Sequence, residues 1–93
     1  MRQSLSHHDR VALRAYLSVL YLQPMTGPEL QYFRKSVLGL SQPQFAARYH
    51  LVAHTIALWE QGHRAPTGPA LVLLQLIRRE PELVAAILAK PAP

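Results

Sequence analysis

"FAARYHLVAHTIALWEQG", residues 45–62, decides how this chain folds. It holds two short apolar blocks separated by a kink near His50. In the first, Phe45, Ala46 and Tyr49 fall on one helical face. In the second, Val52 to Gln61, the i, i+4, i+7 spacing puts Val52, Ile56 and Trp59 on one side. The opposite side carries His54, Ala57, Leu58 and Gln61, with Ala53 at its edge. Ala46 and Ala47 are small enough to let two helices cross closely, and Ile56 and Trp59 supply the wedge that fixes the crossing.

The flanking segments read as helices with defined ends. Upstream, Ser41 followed by Gln44 is a capping box with Pro43 in the first turn. Thr26 followed by Glu29, with Pro28, is another. Leu30, Phe33 and Val37 then recur at helical spacing until Gly39, a natural stop. Before these, Ser6 followed by Asp9 opens a segment running to about Leu22 that is apolar nearly all round. Its alternation through Val11, Leu13, Ala15, Leu17 and Val19 also permits a strand. Such a segment must bury most of its surface, on the domain or on a second copy. Downstream, "GHRAPTGP" is a turn-rich loop. A helix from Gly68 or Pro69 to Arg79 follows, with Leu71, Leu74 and Leu76 among its apolar residues. Pro81 starts the last helix, and Pro91 stops the chain.

Together these features predict an all-α fold, a five-helix bundle. Two units are expected: residues 1–25 as an N-terminal apolar segment for a dimer or partner contact, and 26–93 as the main domain with its C-terminal helices. Ninety-three residues suit one core, and 49% apolar residues are too many for a disordered chain. Cysteine is absent, which removes disulfides and thiolate metal sites. The start "MRQSLSHHD" does not read as a targeting peptide, and no apolar run reaches the ~18 residues of a membrane span. A cytoplasmic, nucleoid-associated protein is expected. Ten Lys and Arg against five Asp and Glu give +5, enough to attract polyanions, although an ordinary basic surface has the same sign.

A short capped helix, a tight turn and a second short helix with an outward face make a helix-turn-helix arrangement. Here "GLSQPQFAARYHLVAHTIALWEQGHRAP" resembles the Xre/Cro-type, lambda-repressor-like helix-turn-helix. The shared pattern is L-[ST]-Q-x-x-[FL]-A, then T-[IV]-x-x-W-E-x-G, then a basic loop and proline. Leu40, Ser41, Gln42, Phe45, Ala46, Thr55, Ile56, Trp59, Glu60, Gly62 and Pro66 match it. The continuation "GPALVLLQLIRREPELV", and "TGPELQYFRKS" ahead of the motif, resemble HigA- and MqsA-like antitoxins. Those proteins pair with RelE/HigB-like ribonuclease toxins in type II toxin–antitoxin modules.

The resemblance implies a set of DNA-binding residues. Gln42, and beside it Gln44, stands where the second helix of the motif meets phosphate, aided by backbone N–H groups. Ala53, His54, Thr55 and Ala57 occupy or adjoin the base-reading positions, with Gln61 further along. His63 and Arg64 suit a second phosphate contact. Glu60 would pair with a basic residue on the helix before the motif, Arg34 or Lys35. Two departures stand out. His50-Leu51-Val52 replaces the usual Gly-Val-Ser, losing a helix cap worth roughly 1 kcal/mol and asking His50 for a left-handed backbone. The reading face also lacks Arg, Asn or Gln before Gln61, and Ala53 and Ala57 offer only methyl groups, suited to thymine.

These features imply a dimeric repressor on a DNA palindrome, with a ribonuclease toxin as partner and no membrane. The alternatives are a freestanding phage-type regulator, or an interaction module that has lost DNA binding. Catalysis has no support: the acids are scattered and no nucleophile has a base beside it. His50 and His54 share i, i+4 spacing, but they straddle the turn with no carboxylate or thiol, so neither metal nor cofactor is expected.

Overall fold

The computed structural model describes residue 4 and residues 6–13 and 25–89. Among these, every regular element is helical and there is no strand. A helical stretch covers 7–13. It is capped as expected, with the Asp9 amide donating to Ser6 Oγ at 3.0 Å. This stretch is exposed throughout, Val11 and Leu13 included, and the remainder of the expected apolar helix lies outside the described residues. The five bundle helices follow: α1 (Gly27–Tyr32), continued by a π-helical turn at Phe33–Val37, α2 (Gln42–Tyr49), α3 (Ala53–Glu60), α4 (Gly68–Arg79) and α5 (Pro81–Ala89).

Local chemistry sets the boundaries. At the start of α1, Glu29 N–H donates to Thr26 Oγ1 (3.2 Å) and Thr26 N–H to Glu29 Oε1 (2.8 Å). The hydrogen bonds its carboxylate accepts from the Thr26 backbone, then from the Thr26 hydroxyl, hold the Glu29 carboxyl below its ordinary pKa. At the start of α2, Gln44 N–H donates to Ser41 Oγ (3.1 Å) and Ser41 N–H to Gln44 Oε1 (2.9 Å). Each cap is worth about 1 kcal/mol. Burying one large apolar side chain is worth about 1.5–3 kcal/mol, so the caps place the helices while the core holds them. That core is Leu30, Phe45, Ala46, Tyr49, Ile56, Trp59, Leu74 and Ile77. Phe45 and Tyr49 meet with ring centroids 4.9 Å apart and tilted by 57°.

Three apolar residues depart from the spacing argument. Val37 is 58% exposed, because the π turn adds a residue before the chain comes round and carries it off the Leu30–Phe33 face. Leu38, half-buried against the core, lies inward in its place. Val52 is 64% exposed, since it is the extended residue before α3 rather than a member of the helix. Ala47 is exposed and only Ala46 sits in the crossing.

α3 packs on both α1 and α2, α2 on α5, and α5 on α4. The buried Tyr49 hydroxyl donates to the Pro81 carbonyl at 3.1 Å, fastening α5 to α2. Burial, outweighing the influence of Arg48, raises that phenol above its ordinary pKa.

Candidate nucleic-acid interface

The turn between α2 and α3 is made by three residues. His50 is left-handed (φ 58°, ψ 40°) and is the one non-glycine residue with positive φ among those described. Leu51 N–H reaches back to the Ala46 carbonyl at 2.9 Å and closes the end of α2. Val52 precedes α3 with no side-chain cap, so the first turn of α3 lacks the hydrogen bond a serine there would supply. Its backbone carbonyl still accepts from Ile56 N–H at 3.1 Å.

Ile56 and Trp59 face inward, and the outward side of α3 follows from them. His54 and Gln61 are exposed, while Ala53, Thr55, Ala57 and Leu58 are half-buried. The chain then turns back: His63 N–H donates to the Leu58 carbonyl at 2.9 Å, leaving His63 and Arg64 exposed beside the helix end. Of the sequence-expected residues, His54, Gln61, His63 and Arg64 are thus exposed, Thr55 and Ala57 are half-buried, and Ala53 packs against the core rather than standing on the outward face. Gln44 stands apart from them, exposed, with its amide oxygen in the α2 cap.

Beneath this surface lies an ion pair that ties the motif together. Arg34 grips both oxygens of Glu60, Nε to Oε2 at 2.7 Å and Nη2 to Oε1 at 2.8 Å, and its Nη1 donates to the Leu40 carbonyl at 2.9 Å. The two side chains are 6% and 4% exposed. Arg34, not Lys35, is thus the partner of Glu60, because the π turn brings residue 34 beneath α3. Gln42 joins them, its Nε2 donating to Glu60 Oε1 at 3.1 Å. Burial would raise the Glu60 carboxyl. The hydrogen bonds from Arg34 and Gln42, with the charges of Arg34 and Lys35, outweigh it and hold the carboxyl below its ordinary pKa. The bond to Glu60 in turn raises the Arg34 guanidinium.

One contributor escaped the sequence reading. A Cβ on Gly27 would stand inside the van der Waals surface of the Glu60 carbonyl oxygen and 2.8 Å from the Trp59 carbonyl oxygen. The start of α1 therefore rests directly on the end of α3, and only glycine fits. The Thr-Gly-Pro run gave one hint, since a glycine just inside a helix start needs a reason.

This geometry finds its counterpart among solved structures. The crystal structure of an HTH XRE-family like protein from Agrobacterium tumefaciens matches with a TM-score of 0.58 and 36% identity, covering 71% of this chain and 98% of that one. The chain belongs to the Xre-like helix-turn-helix family. A curated relative, Antitoxin HigA-2 of Vibrio cholerae, is 40% identical over 49 residues, which is 53% of this chain. The matched part of this Xre-type chain spans 47% of that relative, about half its length. No protein-family model matches the chain. No described helix is long and apolar enough to cross a membrane.

Proposed function

We propose that this Xre-type protein is a sequence-specific DNA-binding repressor that acts as the antitoxin of a type II toxin–antitoxin module. It would neutralise a RelE/HigB-like ribonuclease toxin and repress its own operon as a homodimer. The DNA reading is carried by one observation: the exposed His54 of α3 and the exposed Gln61 at its C-cap continue into the exposed His63 and Arg64, on a chain with net charge +5. The antitoxin reading is supported by the identity to HigA-2. It is also supported by Val72, Leu76, Leu83 and Ile87 on α4 and α5, each 46–57% exposed, which offer a partner apolar contact.

In this reading α3 enters the major groove, with His54 and Thr55 hydrogen-bonding base edges and Ala53 and Ala57 meeting thymine methyls. Gln44, His63 and Arg64 lie towards the backbone, while Gln42 is engaged with Glu60. The outward face holds few donors, so each half-site is read weakly and a palindrome bound by two copies supplies the discrimination. A second reading, an interaction module without DNA binding, is favoured by the same Ala53 and Ala57. A gel shift at low salt separates the two: the repressor retards a duplex, whereas the module retards none at any concentration. Within the repressor reading, Arg64→Ala weakens binding to all sequences alike, and His54→Ala alters the preferred site. Unchanged preference in His54→Ala, measured by selection from random duplexes, would remove α3 from the reading role. The toxin is tested by co-expression with the product of the adjacent gene, which the antitoxin should render harmless to growth.

A further inference from the structure

Beside the start of α2 an open cavity of about 540 Å³ is lined by Gln31, Arg34, Lys35, Ser41, Gln42 and neighbouring residues, with no acidic residue in its wall; Lys35 and the neutral amide of Gln31 are exposed donors there. Two cations border it, and they differ in what they face. The Arg34 charge is cancelled by Glu60, gripped through both oxygens. Lys35, next along the π turn, is exposed and forms no ion pair among the described residues. The cavity therefore carries close to one uncompensated positive charge, located on Lys35.

The neutral donors nearby are mostly committed. One N–H of the Gln42 side-chain amide is given to Glu60. Ser41 N–H and Gln44 N–H are consumed by the capping box, and Pro43 has no N–H to give. In many helices the first turn presents a row of free amides to an anion. In α2 that row is reduced to Gln42 N–H.

We propose that Lys35 makes the backbone-phosphate contact at this end of the motif, and that Gln42 is a positioning residue acting through Glu60. This rests on the DNA-binding reading above and names the residue that anchors it. The ligand is a phosphodiester of duplex DNA. An ammonium on a flexible stem at the edge of an open, acid-free cavity meets it as a point charge.

The test separates the two residues by what each does to salt dependence. Binding of the full chain to a fixed mixed-sequence duplex is measured over a range of salt concentrations. Each phosphate neutralised contributes about 0.9 to the slope of log K against log salt. Lys35→Gln should lower that slope by about 0.9 per bound protomer with an unchanged melting temperature, and Lys35→Arg should restore it. Gln42→Ala should leave the slope as in the wild type and lower the melting temperature, because Glu60 loses a hydrogen bond. A wild-type slope in Lys35→Gln, with the duplex still bound, overturns the proposal and leaves the DNA reading standing. Failure of the wild type to bind any duplex at low salt removes both.

Discussion

His50 shows how much one backbone conformation costs. A left-handed residue with a side chain is unfavourable by about 1–2 kcal/mol, and glycine is exempt. The His50 side chain is exposed, so removing it forfeits no packing. His50→Gly should therefore raise stability by about 1 kcal/mol, partly offset by the greater freedom of glycine in the unfolded chain. A lower melting temperature for His50→Gly would mean that the imidazole holds something the turn needs. The sequence already indicated this strain, because the neighbouring matches fixed which residue ends α2. Val52 was harder to read: its spacing fits the inward face, and only its extended backbone shows that it stands before α3.

Between elements, the contact of α1 with α3 sets the tightest tolerance. Alanine is a better helix former than glycine by about 1 kcal/mol, so propensity alone favours Gly27→Ala. The Cβ would meet backbone carbonyls of Trp59 and Glu60, which cannot rotate aside. Overpacking of this kind costs about 1–3 kcal/mol and should win, giving a lower midpoint in urea. A neutral or stabilising result would show that the two helices slide apart cheaply. Such contacts depend on three-dimensional approach, and no periodicity reports them. The same is true of the π turn. Leu30 and Phe33 kept helical spacing, but nothing in "FRKSV" announced an extra residue per turn, so Val37 was expected on the wrong face and Arg34 could not be told from Lys35. The capping boxes were legible because they are local, each needing two residues three apart.

At the scale of the whole molecule, the Arg34–Glu60–Gln42 network makes stability respond to acid. A carboxyl held below its ordinary pKa favours the folded state whenever it is ionised. That contribution is present above the usual carboxylate pKa of about 4.3 and is lost as the pH falls through the depressed folded value. The exposed Glu29 acts in the same direction at the start of α1. The melting temperature should fall on acidification through this window, and Glu60→Gln should show a lower but flatter acid limb. An equally steep limb in Glu60→Gln would place the acid sensitivity elsewhere. The outward face was less legible than the core for another reason. Apolar spacing tells which residues are inside, whereas an exposed His54 or Lys35 differs from any solvated residue only through what docks there. The hydroxyl of Tyr49 has a further consequence, through its bond to the Pro81 carbonyl. A copy docking on Leu83 and Ile87 would meet a helix strapped to the helix-turn-helix, with no slack linker between them. Two chains joined in that way would act as a calliper of fixed jaw width, and an operator with base pairs inserted between its halves would no longer fit.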